Sequence, residues 1–272
     1  MKETVEDLAR RYLPTKLRKG LGAFLLRRRA SMPSPLLKIY FRLVHGYNLD
    51  KLKVKLTGKD AIYTYKSHKI RCPREGLGIF FKVFRNKAYD KMDMRKGDVV
   101  VDVGAYVGML TVKASVDVGD KGLVVAVEPR PTNAKYIKEN CRDLPNVTIV
   151  QEALWKHTGK KDFYISYASA GDSLVYEQKD KIEVWTETLD NLAKGLDREI
   201  NCIKIDAQGS ELDILEGAEE TLKGPVRLAI ASHYICPDGS PEAPKLIQFL
   251  EERGFKVTTE SKERRYVYAR KN

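Results

Sequence analysis

The sequence contains no run of about 18 apolar residues, the length a helix needs to cross a bilayer. The apolar patch at residues 21–26 is short and runs straight into Arg27, Arg28 and Arg29, so no transmembrane segment is expected and the expected location is cytoplasmic. Cysteine is scarce: Cys72, Cys141, Cys202 and Cys236 are widely spaced and form no C-x-x-C pair. His68 lies near Cys72 and His233 near Cys236, but these pairs are far apart in the chain. Neither a zinc site nor a disulfide framework is indicated, and buried, reduced thiols are expected. Internal repeats and low-complexity segments are absent as well, which excludes a solenoid.

What is present is a basic excess, unevenly spread. The 272 residues carry a net charge of +12, with 43% hydrophobic residues, enough for one α/β core and an extension. Residues 1–97 hold 25 lysines and arginines against 8 acids, a surplus of 17, whereas the remainder has an acidic surplus of 5. Such asymmetry points to a polyanionic partner, whether nucleic acid, nucleotide-linked substrate or anionic lipid, or else to a solvated basic face that aids solubility. Lys16, Arg18, Lys19, Arg27, Arg28 and Arg29 are the candidate phosphate-binding residues.

Periodicity divides the chain. Residues 5–12, 16–29 and 36–44 have helical patterns broken by Pro14, Pro33 and Pro35, and residues 52–72 alternate as two or three antiparallel strands. Residues 76–92 are predicted as one helix whose Phe80, Phe81, Phe84 and Tyr89 form a core stripe. Beyond residue 97 apolar strands at 99–103, 123–127, 147–150, 200–205 and 226–231 alternate with helices at 107–116, 132–142, 210–222 and 243–253. That order predicts a doubly wound, mostly parallel seven-stranded α/β sheet. Strands 255–259 and 265–269 are joined too tightly for a crossover and should close it as an antiparallel hairpin. Further strand-like segments at 163–165 and 182–185 form an insertion. The expected domains are a basic helical and small β extension, residues 1–75, and a catalytic domain, residues 76–272.

The stretch 98–108, DVVVDVGAYVG, is a strand, a glycine turn and the start of a helix, a unit suited to an anionic ligand. A dinucleotide fingerprint beginning at Gly104 needs glycine where Tyr106 and Met109 stand. Asp102 two residues before Gly104, with Gly108 four after it, suits the amino-acid end of S-adenosylmethionine instead, although an ordinary strand-to-helix turn has the same residues. Glu128 ends the next strand at the position of a ribose acceptor, followed by Pro129, and Glu152 and Ala153 end the third, where an adenine edge is read. Three successive strand ends thus point to a nucleoside cofactor.

From about residue 76 to 260 the chain resembles the FkbM-type class I methyltransferases, with a Rossmann-like fold. The motifs that carry the likeness are VVVDVGAYVGMLT, VVAVEPRPTNAKYIKENC, NVTIVQEALW, SAGDSL, TLDNL and INCIKIDAQGSELDILEGAEETL. The resemblance implies an S-adenosylmethionine pocket containing Asp102, Gly104, Ala105, Gly108, Glu128, Glu152 and Asp206, with Tyr106, Pro129 and Ala153 in the same turns. It also implies methylation of hydroxyl oxygens, often of sugars or sugar-bearing compounds. Two positions depart from the family: Gln208 and Ser232 stand where acids are usual. With Gln208 in place of an acid, no metal is expected.

Methyl transfer to a hydroxyl needs an in-line acceptor and a group to receive its proton. Asp206 is the first candidate and Glu211 the second; Lys204 could lower the hydroxyl pKa, and His233 lies after the fifth strand where a base could act. Each also has a structural reading, as a snorkelling lysine, a helix-start acid or a packed histidine. The chain lacks an Asn/Asp-Pro-Pro-aromatic tetrapeptide, which orients exocyclic amines, and Lys204-Ile205-Asp206-Ala207 takes its place. The expected function is S-adenosylmethionine-dependent O-methylation of a sugar or glycan hydroxyl. The alternative is an RNA methyltransferase whose basic N-terminal arm grips phosphates.

Overall fold

The computed structural model describes residues 33–44, 49, 52–166, 169–232, 234–236, 239–261 and 265–271. The candidate residues Lys16, Arg18, Lys19, Arg27, Arg28, Arg29 and His233, and the helices expected at 5–12 and 16–29, lie outside the described residues. The chain separates into two compact units, one ending at Phe80 and one beginning at Phe81.

In the first unit, helix α1 (Ser34–Val44) buries Leu37 and Phe41, one turn apart on the same face. Strands β1 (Lys55–Thr57), β2 (Asp60–Tyr65) and β3 (His68–Pro73) form an antiparallel meander, paired Thr57 to Asp60 and Tyr65 to His68 across two-residue turns. The single helix expected over 76–92 is a correction: the chain makes a short helix α2 (Leu77–Phe80), a π-helical turn Phe81–Arg85 and a 3-10 turn Asp90–Met92. Lys87, with φ 53°, takes a left-handed conformation that no α-helix continues through. Phe81 and Tyr89 are nonetheless buried, as their spacing predicts.

The second unit is built on β4 (Val99–Val103), β5 (Leu123–Val127), β6 (Val147–Val150), β10 (Cys202–Ile205), β11 (Arg227–Ala231), β12 (Lys256–Ser261) and β13 (Arg265–Arg270). Their order is β12-β13-β11-β10-β4-β5-β6, with β13 antiparallel to its neighbours and the pairs from β11 to β6 parallel. This is the doubly wound, mostly parallel seven-stranded sheet with its antiparallel terminal hairpin. Helices α3 (Met109–Val118), α4 (Pro131–Asn140), α5 (Leu189–Lys194), α6 (Glu211–Glu216) and α7 (Glu242–Glu251) make the connections. The helix expected at 210–222 is shorter because Gly217 caps α6, where a side chain would strike the Trp155 carbonyl, and the chain continues as a 3-10 turn Thr221–Lys223.

Strands β4 and β10 are buried throughout, and each is apolar but for one charged residue, Asp102 and Lys204. After β4 the chain winds outward to β5 and β6, then returns to place β10 on the other side of β4. That reversal opens a crevice at the carboxyl ends of the strands. The insertion folds as β7 (Ala153–Leu154), β8 (Gly159–Ile165) and β9 (Asp180–Glu187), a small sheet closed over Ala153, Phe163, Leu174 and Val184. Cys72, Cys141 and Cys202 are buried free thiols and Cys236 is a half-buried one; burial pushes Cys141 and Cys202 up to about 12. Among the described residues no helix is long and apolar enough to cross a membrane.

Candidate active site

At the crevice, a cleft is lined by Gly104 and Tyr106 after β4, Glu128 and Pro129 after β5, Ala153 and Leu154 of β7, and Asp206 to Gln208 and Ser210 after β10. Its remaining wall includes Phe163, Ala170, Asp172 and Leu174 from the insertion.

The glycine turn is held from three sides. Gly104 (φ 70°) and Ala105 both donate N–H bonds to the Val127 carbonyl, at 3.0 and 3.1 Å. A Cβ at Gly104 would overlap the Asp206 carbonyl oxygen, so the close approach of β4 and β10 requires glycine there. Tyr106 follows with φ 56°, an uncommon conformation for an aromatic residue that ties backbone strain to this site. Gly108 (φ 80°) opens α3 against Ile137. Beneath the turn, Asp102 is 0% and Lys204 4% exposed, opposite one another in the β4–β10 register. The Lys204 ammonium lies 2.9 Å from Asp102 Oδ1 and donates to the Val103 and Gly104 carbonyls at 2.9 and 2.7 Å, while Thr111 donates to Asp102 Oδ2 at 2.7 Å. Lys204 thus donates to two backbone carbonyls and pairs by charge with Asp102, which holds its ammonium beneath the turn and outside the cleft lining.

Glu128 is buried at the end of β5. It accepts from the Tyr106 N–H at 2.9 Å on Oε2, and from the Arg130 N–H and Asn133 Nδ2 at 3.1 Å each on Oε1. Burial outweighs those donors and pushes its carboxyl up to about 7. A carboxylate has about four lone-pair sites, so room for a further hydroxyl donor is left on Oε2. Arg130 reaches across to Asp172 at 2.8 Å, and Asp172 accepts the Ser166 N–H at 2.7 Å, which seats the serine loop over the cleft. Ser173 then donates to the Gln208 carbonyl at 2.7 Å and joins that loop to the turn after β10.

Asp206 stands at the end of β10. Its Oδ2 accepts from Lys82 at 2.6 Å and from the Tyr89 hydroxyl at 3.0 Å, and Gln208 Nε2 donates to Oδ1 at 3.2 Å. Gln208 (φ 57°) and Gly209 (φ 98°) make a left-handed turn packed against the Tyr176 ring. Behind it Glu211, 0% exposed, accepts the Ala207 and Gly209 N–H groups at 2.9 and 2.7 Å and faces the buried Glu242 carboxyl. Burial and the neighbouring Glu242 hold Glu211 well above the ordinary glutamate range; burial pushes Glu242 from 4.5 up to about 7.

Those two acids give the protein an unusual pH dependence. Between the glutamate value of the unfolded chain, about 4.3, and about 7 the folded state binds more protons than the unfolded state. Stability therefore falls as pH rises through that window and is lowest above it. Glu242→Gln removes one titrating group and keeps an oxygen to accept from Glu211. It is expected to raise stability by roughly 1–3 kcal/mol at about pH 8 and to change it little at about pH 5 in urea denaturation. An effect of equal size at both pH values would count against the pair.

The structure brings Gly104, Tyr106, Glu128, Pro129, Ala153 and Asp206 together on the cleft. Asp102, Ala105, Gly108 and Glu152 are not in its lining, nor are Lys204 and Glu211, which brace the turns from behind. Sequence reasoning did not assign Lys82, Tyr89 or Ser210. Lys82 and Asp206 are 124 positions apart, a separation no local pattern crosses. Arg130 and Asp172 lay within the quoted EPRPTN and SAGDSL motifs without a role of their own. Ser210 Oγ is buried on the cleft with no hydrogen-bond partner among the described residues, a polar atom waiting for a ligand donor or acceptor. Together with the Glu128 carboxyl and the bare Gly104 backbone, it fits a nucleoside with ribose hydroxyls. Among the described residues no group of three or more His, Cys, Asp or Glu side chains could hold a metal ion.

Comparison with known proteins adds the chemistry. The sequence model of the methyltransferase FkbM domain matches residues 102–257. The methyltransferase sdnD of Sordaria araneosa is 22% identical over 226 residues, covering 70% of this chain and 85% of that protein. A probable cobalt-precorrin-6B C(15)-methyltransferase (decarboxylating) of Thermoplasma acidophilum is 25% identical over 112 residues, 40% of this chain and 55% of that one. Among solved structures, Aeropyrum pernix fibrillarin with natively bound S-adenosyl-L-methionine is similar at 12% identity and a TM-score of 0.49, covering 79% of this chain and 84% of that one. Precorrin-6y C5,15-methyltransferase of Geobacter metallireducens is similar at 18% identity and a TM-score of 0.45, covering 69% and 88%.

Proposed function

The chain belongs to the FkbM methyltransferase family, whose model spans more than half of it, and from that premise we propose that it methylates a hydroxyl oxygen of a sugar or glycan. It is an S-adenosylmethionine-dependent methyltransferase, and the cofactor when bound supplies an electrophilic methyl group on sulfur. Glu128 and Ser210 are the residues to hold its ribose and polar edge, and the Gly104 turn the residues to admit its amino-acid end.

The observation that carries the acceptor is Asp206. A carboxylate on the cleft wall, its Oδ2 bonded to Lys82 and Tyr89, orients a hydroxyl and receives its proton as the oxygen takes the methyl group. The half-buried Tyr176 ring packs on Gly209 of the turn after Asp206 and lies 5.6 Å from the Tyr234 ring at a 36° tilt, an aromatic pair of the kind that suits a sugar ring. The second reading, methylation of RNA, draws on the surplus of 17 positive charges in residues 1–97.

Tritium transfer from methyl-labelled cofactor into separated glycan and RNA fractions distinguishes the two. Label in the glycan fraction is the expected result. Label in RNA alone, with binding that weakens steeply as salt rises, would replace the sugar reading by the other.

A further inference from the structure

Lys82 lies on the π-helical turn Phe81–Arg85, twenty residues upstream of the region matched by the family model. It is 5% exposed, and a buried ammonium survives only with an acceptor. That acceptor is Asp206 Oδ2 at 2.6 Å. The ammonium also sits 5.3 Å from the centre of the Tyr89 ring and 5.4 Å from that of Tyr266, so two aromatic faces flank it. Tyr89 adds its hydroxyl to the same carboxylate oxygen. The segment is anchored from the far side by Tyr268, whose hydroxyl donates to the Ala88 carbonyl at 2.5 Å. A π-helical turn widens the helix by one residue and re-aims its side chains, and such turns gather at functional sites.

We propose that Lys82, with Tyr89, is a positioning residue for methyl transfer, holding the Asp206 carboxylate charged and fixed on the cleft wall. The inference rests on the reading of Asp206 as the group that orients the acceptor hydroxyl. Among the described residues, charged and titratable groups around that carboxylate include Lys82, Tyr89 and, at longer range, Lys204, Asp102, Glu211 and Tyr266. Lys82 contacts the carboxylate directly. Its loss removes that contacting positive charge from the carboxylate, which favours the protonated form.

The test is NMR of full-length protein with carboxyl-labelled aspartate, the Asp206 signal being assigned by its loss in Asp206→Asn. In Lys82→Met the titration midpoint of that signal is expected to move up by about one unit or more. Lys82→Arg should restore it most of the way. Tyr89→Phe keeps the ring and removes only the hydroxyl, and should move the midpoint the same way by less; it serves where Lys82→Met does not fold. Label transfer in the responding fraction should fall 10- to 100-fold in Lys82→Met, with the acidic limb of its pH profile displaced upward. An unmoved midpoint in Lys82→Met and Tyr89→Phe overturns the role of Lys82 while leaving that of Asp206 intact. Full transfer activity in Asp206→Asn would instead remove the reading beneath it.

Discussion

Lys204→Met is expected to destabilise the fold by about 3–5 kcal/mol, measured as the loss in urea unfolding free energy. The methionine fills nearly the same space, so the loss is electrostatic. Asp102 is 0% exposed in the middle of β4, and its remaining hydrogen bond, from Thr111, is a neutral one that does not balance a buried charge. The Val103 and Gly104 carbonyls lose their donor at the same time, which frees the turn that lines the cleft. A double variant, Lys204→Met with Asp102→Leu, should be more stable than Lys204→Met alone, because no unpaired charge remains. A loss under about 1 kcal/mol, the range of exposed ion pairs, would show that the pair does not brace the two central strands. The expectation also separates Lys204 from chemistry: its effect should appear in stability first and in turnover only through the turn it supports.

Asp206→Asn should behave in the opposite way. The amide has the same shape and keeps an oxygen acceptor for Lys82 and Tyr89, so although the buried Lys82 ammonium loses its counter-charge and some stability with it, cofactor affinity should change little and the effect should appear in turnover first. Removing a group that takes a proton in the transition state costs typically ~10²–10⁴-fold in rate. Transfer of label to the responding fraction should fall by that factor, while titration calorimetry with S-adenosylmethionine stays close to the wild-type result. Equal losses in binding and transfer would make Asp206 a cofactor residue, and a rate within about threefold of wild type, less than one kcal/mol of barrier, would remove it from the chemistry. The contrast with Glu211 is instructive. Both are acids near one loop, yet Glu211 spends its two oxygens on the Ala207 and Gly209 amides behind the cleft, and Asp206 alone of the two is on the wall.

The alternation of strands and helices was legible because burial is recorded locally. Strands β4 and β5 follow the valine-rich runs of the sequence, since a central parallel strand is covered on both faces. The strand-end acids Glu128 and Asp206 were legible for a related reason: polar residues interrupt such runs where the strands reach the crevice. Local pattern misled where two forces share one signal. The aromatic stripe at 80–89 marks burial, but burial does not require a helix, and the left-handed Lys87 breaks the one that was expected. An acid in the first turn of α6 reads the same whether it faces the cleft or, as Glu211 does, its own loop amides. What tertiary structure alone decided is the pairing of charges. Asp102 with Lys204, Asp206 with Lys82 and Arg130 with Asp172 join positions from 42 to 124 residues apart. Charge leaves no periodic trace in a sequence, because a carboxylate acquires its partner from whichever strand or turn the fold brings within about 3 Å.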